Sequence, residues 1–268
     1  GLPRSGTTLT CHLLNKLPDT VALHEPMKVW EFPKLKNHDA IINEIKLFFE
    51  EMRQLIRTRK IALSKQADGK VPDNPFPDKY SSSGLRCGKV SVGMISVKKE
   101  LSLDFLLIIK HPAAFTALLE TLIKHFPCYA VIRNPLAILT SWNSIAAPIQ
   151  NGYAPAAENL DIDLKHALAG IKDKIGRQLY LLSWFFEKYL HLLSNDNILR
   201  YEDIVSSGGK ALHVITPHAL LLDEKLKNKN KNVIYDPDKM RVLGERLLYS
   251  KGAYWEFYSK ESIELLLN

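Results

Sequence analysis

Gly1-Leu2-Pro3-Arg4-Ser5-Gly6-Thr7-Thr8 sets two glycines around a cation and ends in two residues suited to open a helix. A loop of this kind lets backbone N–H groups converge on an anion at a helix N-terminus. A nucleotide triphosphatase carries Lys directly after the second Gly, to reach the outer phosphates. Here Thr7 holds that place and the cation, Arg4, lies inside the loop, so the anion must be held differently. Further chemistry-bearing residues stand where predicted strands end. They are His24-Glu25-Pro26, Lys110-His111-Pro112, Arg133-Asn134-Pro135 with Ser141 further along the next helix, and Tyr201-Glu202-Asp203. Strand ends of a parallel sheet are where α/β proteins bind ligands. Taken singly, each segment also describes an ordinary turn or a charged strand end.

Together and in this order, the segments resemble those of sulfotransferases that use 3′-phosphoadenosine 5′-phosphosulfate (PAPS). Pro3-Arg4-Ser5-Gly6-Thr7-Thr8 is similar to the 5′-phosphosulfate loop in the form found in tyrosylprotein and several bacterial and carbohydrate sulfotransferases. Tyr129-Ala130-Val131-Ile132-Arg133-Asn134-Pro135 resembles the 3′-phosphate motif, which implies that Arg133 and Ser141 bind that phosphate. A guanidinium and a hydroxyl suit an isolated phosphate monoester. Leu199-Arg200-Tyr201-Glu202-Asp203 resembles a segment whose Tyr lies near the adenine, and Ser250-Lys251-Gly252-Ala253-Tyr254-Trp255 one that closes over the 3′-phosphate. The resemblance spans almost the whole chain. It implies a single sulfotransferase domain over 1–268, with PAPS as cofactor, adenosine 3′,5′-bisphosphate as product, no metal, and a hydroxyl-bearing acceptor of unspecified identity.

Sulfuryl transfer to a hydroxyl needs a base for the acceptor proton and cations for the charge developing on the leaving phosphate. By resemblance Arg4 is the leaving-group cation and Lys110 serves the sulfuryl oxygens. Two residues compete as the base. Glu25 matches the catalytic Glu of a G-E-x segment, with His24 replacing the Gly, while His111 sits one place nearer its Lys than in the K-T-H segment of cytosolic members. One residue turns a side chain to the opposite face of an extended segment, so Glu25 is favoured and His111 stays open. A P-loop kinase, disfavoured by Thr7, and a non-catalytic module for anionic polymers are the rival functions.

These residues need a scaffold. Apolar runs at Val21 to His24, Leu103 to Ile109, Cys128 to Ile132 and Asn197 to Leu199 predict strands alternating with helices. The expected fold is α/β, a P-loop-like doubly wound parallel sheet flanked by helices. Leu164, Leu168, Ile171, Ile175, Leu179, Leu182, Phe186, Leu190 and Leu193 keep helical spacing and predict one helix of about eight turns. Ile41, Ile45, Phe48, Met52 and Leu55 predict another between about Asp39 and Lys60. Ser64 to Gly84 reads as one long loop, so residues 31–85 form a helical insertion and flexible loop, a candidate acceptor-binding lid. Pro148 to Asp161 and Lys225 to Asn232 are further polar stretches where an acceptor would be chosen.

The 268 residues are 46% apolar and 24% charged, which excludes collagenous, low-complexity and wholly disordered classes. The net charge of +7 suits polyanions, among them nucleic acid, acidic lipid, acidic glycan and multiply phosphorylated small molecules. No recognised nucleic-acid module supports the first of these. Cys11, Cys87 and Cys128 are too scattered for a disulfide framework, and no apolar run reaches about 18 residues. A reducing, cytoplasmic setting without a membrane span is expected. The resemblance also implies a sheet strand ahead of Gly1, and leaves open an anchor there.

Overall fold

Short runs of Val, Ile and Leu form the strands, and helices follow them in turn, in a computed structural model that describes residues 1–77 and 84–268. The order begins α1 (Thr7–Leu14), β1 (Thr20–His24), α2 (His38–Arg59), β2 (Ile61–Gln66), β3 (Ser91–Ser96), β4 (Leu106–Lys110), α3 (Pro112–Ala117) and α4 (Leu119–Leu122). It continues β5 (Ala130–Ile132), α5 (Pro135–Trp142), α6 (Pro155–Glu158), α7 (Ile162–Gly170), α8 (Lys174–Leu192), β6 (Ile198–Arg200), α9 (Tyr201–Ser206), α10 (Pro237–Leu248) and α11 (Lys260–Leu267). The class is mixed α/β, about 51% helical, with small parallel sheets.

Among the described residues the strands make three two-stranded ladders rather than one continuous sheet. β1 and β4 run parallel with Val21 opposite Leu107 and His24 opposite Lys110, which sets Glu25 beside the end of β4. β5 and β6 run parallel with Val131 opposite Leu199, which sets Arg133 beside Tyr201. β2 and β3 form an antiparallel pair, Lys65 opposite Val92. One core packs Trp142, Phe185, Phe186, Tyr189, Leu243 and Tyr254 between α5, α8 and α10. A second joins α1, β1 and α2 to β5 and β6 through Leu13, Val21, Leu23, Met52, Ile56, Val131 and Leu199. The first core also holds Leu2 at the start of the loop before α1, and the second holds Cys11, Leu13 and Leu14 of α1 itself.

Three sequence expectations change. The expected eight-turn helix is two helices, because Gly170 ends α7 and the Asp173 carboxylate caps α8 by accepting from the Gly176 N–H at 2.8 Å. Arg177 then satisfies the freed carbonyls of Ile171 and Lys172. The strand predicted from Leu103 starts at Leu106: Leu103 is exposed, Asp19 takes the Ser102 N–H and hydroxyl, and the ladder extends to Lys110. Ser64 to Gln66 are strand, not loop, and the chain reverses at Asp68-Gly69, whose φ angles of 52° and 73° are the left-handed pair of a tight turn. The part of the expected lid at residues 78–83 lies outside the described residues.

Candidate functional site

A cavity of about 650 Å³ opens where the α1 loop meets the carboxyl ends of β1, β4 and β5, and Pro3, Arg4, Gly6, Thr7, Thr8, Glu25, Lys110, His111, Arg133 and Tyr201 all line it. That volume is in the ~300–1,000 Å³ range of small-molecule sites. Arg4 and Gly6 take left-handed φ angles of 70° and 101°, and α1 starts at Thr7 without a side-chain cap. Its first-turn N–H groups therefore have no intrahelical partner and carry the positive end of the helix. Ser5 is turned away from the cavity. Its Oγ lies 2.6 Å from the Val131 carbonyl and its N–H donates to the Leu2 carbonyl, so it anchors the loop to β5.

Arg4 donates from Nε to Ser141 Oγ at 3.1 Å and from Nη2 to Asn74 Oδ1 at 3.1 Å, with its guanidinium 5.0 Å from the Phe76 ring centroid. Burial, then Arg86 and Arg133, lower its pKa to about 10. Ser141 thus serves Arg4, beneath the loop, and lies fully buried outside the cavity lining. Arg133 spends its donors on Asn230 Oδ1 at 2.7 Å, the Lys229 carbonyl at 2.5 Å and the Arg4 carbonyl at 3.2 Å, and its guanidinium lies 4.5 Å from the Tyr201 ring centroid. Neither Arg4 nor Arg133 meets a carboxylate among the described residues. The cavity concentrates positive charge in a low-dielectric setting, which favours an anion.

On the opposite wall, Glu25 holds φ at 44°, a strained value for a non-glycine residue. Its Oε1 meets Lys110 Nζ at 2.9 Å and His24 Nε2 at 3.4 Å, and its Oε2 meets Lys65 Nζ at 2.6 Å. Burial alone pushes this carboxyl up, but Lys110, the His24 hydrogen bond and Lys65 outweigh it and hold the group well below the usual carboxylate range. Lys110 also donates to Thr8 Oγ1 at 3.3 Å, linking this wall to the loop. His111 is committed elsewhere: its Nε2 accepts from the Met27 N–H at 3.0 Å, and burial pushes its pKa down to about 3. The His24 pKa falls to about 4 by burial and then Lys110.

Lys251 and Gly252 are not brought to this cavity. They border a separate depression of about 280 Å³ with Tyr180, Ser183, Trp184 and Glu187, while Tyr254 and Trp255 bond back to Ser250 in the packed tail. The segment from Lys225 to Asn232 comes in instead. Lys225, Lys227, Lys229 and Asn232 line the cavity, and the Lys229 N–H donates to Tyr201 Oη at 3.1 Å. Glu202, to which the sequence assigned no role within its Tyr201-Glu202-Asp203 segment, accepts from the Asn134 N–H, from Asn230 Nδ2 at 2.7 Å and from the Tyr258 hydroxyl at 2.9 Å. No helix among the described residues is long and apolar enough to cross a membrane. Comparison with protein-family models, with curated proteins and with solved structures finds no match.

Proposed function

We propose that the protein is a sulfotransferase that moves a sulfuryl group from PAPS to an acceptor hydroxyl. The observation that carries this is convergence: four segments far apart in sequence, ending at Thr8, Glu25, Lys110 and Arg133, meet in one cation-lined cavity. The donor set fits the cofactor. The N–H groups of Gly6, Thr7 and Thr8 with Arg4 and Lys110 would hold the phosphosulfate, Arg133 the 3′-phosphate, and Tyr201 the adenine. Bound there, PAPS supplies the sulfuryl group and a phosphate leaving group. Glu25 is the better-placed base, because the acceptor nitrogen of His111 is occupied by the Met27 N–H. The two parallel strand pairs, each delivering a site residue from its carboxyl end, support a P-loop-like doubly wound sheet as the scaffold.

Calorimetric titration with adenosine 3′,5′-bisphosphate, AMP and ATP tests the proposal. Micromolar binding of the bisphosphate with AMP at least a hundredfold weaker, about 2.7 kcal/mol, is expected. Preference for ATP, or no nucleotide binding, overturns it.

A further inference from the structure

Lys65 enters the cavity lining from neither the α1 loop nor the parallel strands. It comes from β2, in the antiparallel pair, and reaches Glu25 across 40 residues of sequence. The Glu25 carboxylate is divided between two ammonium groups. Oε1 belongs to Lys110, whose side chain is 12% exposed and touches Thr8 of the loop; Oε2 belongs to Lys65, whose side chain is 36% exposed. Lys65 is therefore the outer of the two cations, with Val92, its ladder partner, beside it on the cavity wall. Among the described residues the other titratable groups that Glu25 acts on are His24, at Oε1, the buried His111 and the buried Cys11 thiol. A carboxylate with both oxygens on ammonium groups is a poor proton acceptor, since an adjacent cation favours the charged form.

Resting on the sulfuryl-transfer reading with Glu25 as base, we infer that Lys65 selects the acceptor. It holds Glu25 Oε2 until an anionic group beside the reacting hydroxyl, a carboxylate or a sulfate, draws its ammonium away. The freed Oε2 then takes the proton as the acceptor O–H bond breaks. The acceptor oxygen bonds to sulfur, the bond from sulfur to the bridging phosphate oxygen breaks, and its electron pair leaves on the phosphate. A neutral acceptor leaves Lys65 in place and meets a base with little affinity for its proton. The acceptor class is thus an acidic hydroxyl compound, and β2 with β3 supplies its recognition.

The test uses the full chain carrying ¹³C-labelled Glu carboxyls and saturated with adenosine 3′,5′-bisphosphate, the Glu25 signal being assigned with Glu25→Gln. Lys65→Met should raise the Glu25 titration midpoint by a pH unit or more, and Lys65→Arg should restore it; a midpoint indifferent to Lys65→Met overturns the inference. Matched probes test selection: methyl β-D-glucuronide against methyl β-D-glucoside, and 4-hydroxyphenylacetate against its amide. The charged member of at least one pair should raise the Glu25 midpoint and, with PAPS, give kcat/KM at least tenfold above its neutral partner, a preference that Lys65→Met abolishes. A Glu25 signal that ignores all four probes, or equal turnover of both members of each pair, overturns it. Failure of the bisphosphate to bind sinks the sulfuryl-transfer reading itself, whereas retained binding without charge preference sinks only the acceptor class.

Discussion

Gly6 lies against the Tyr201 ring so closely that a Cβ on Gly6 would sit 2.7 Å from Tyr201 Cδ2, while its φ of 101° already disfavours any side chain. Gly6→Ala meets both penalties at once, and a left-handed non-glycine residue alone costs about 1–3 kcal/mol. The variant should melt at a lower temperature and bind adenosine 3′,5′-bisphosphate at least tenfold more weakly, because the ring and the loop must part. Thermal denaturation and calorimetry on the same sample check both, and unchanged affinity would remove Tyr201 from the nucleotide site.

Arg133→Ala takes away three hydrogen bonds and the stack on Tyr201. Bisphosphate affinity should fall by a hundredfold or more, with AMP affinity falling far less. The segment carrying Lys227 and Lys229 also loses two of its hydrogen bonds, so trypsin should cut there faster than in the wild type. Equal loss for both nucleotides would place the 3′-phosphate elsewhere.

Glu25→Gln should lower turnover by about 10²–10⁴, the usual contribution of a general base, while bisphosphate affinity stays nearly intact. An active Gln variant would hand the proton to another group. Because its folded-state pKa lies below the ordinary value, the stability from Glu25 is complete above the unfolded value of about 4.3 and disappears only as pH falls through the folded one.

His24 and His111 act in a different window. Their folded-state pKa values, about 4 and about 3, lie below the unfolded value near 6.5, so the unfolded chain binds protons first as pH falls. Stability should be at its plateau above pH 6.5 and decline by roughly 1.4 kcal/mol per pH unit for each histidine below it. Denaturant melts between pH 7 and 4.5 check this, and His111→Gln should flatten the slope; a wild-type curve flat over that range would contradict the burial of both rings.

Lys99 donates to three carbonyls, of Asn15, Leu17 and Thr20, at 2.8, 2.8 and 2.7 Å, closing the turn between α1 and β1. Lys99→Met leaves those acceptors short of a charged donor, and a loss of about 2–3 kcal/mol is expected. Denaturant unfolding measures it, with bisphosphate affinity of the folded variant as the control that should not move.

What the sequence revealed and what it concealed follow from the range of the interactions. The loop and the Arg133-Asn134-Pro135 turn were legible because local rules set them: a left-handed glycine, and an Asn cap on α5 that accepts from the Leu136 and Ala137 N–H groups. The break between α7 and α8 was hidden because apolar spacing survives it, although Gly170 and Asp173 marked it. The contact of Lys65 with Glu25 was hidden by a ladder whose strands lie some 25 residues apart and whose β3, with Gly93 and two serines, carries little strand signal. The Arg133 partners Lys229 and Asn230 stand almost 100 positions away, beyond any local pattern.

Glu202 joins three distant stretches: the Asn134 turn, Asn230 and Tyr258. Burial, and then the Glu202 carboxylate, keep the Tyr258 phenol protonated far into the alkaline range, so it stays a donor. The aromatic tail, none of whose residues lines the cavity, therefore acts as its distant brace. A tail substitution remote from any nucleotide can loosen Asn230, and with it the guanidinium that Asn230 orients. Losses of nucleotide affinity would then map to positions that a survey of cavity-lining residues would pass over.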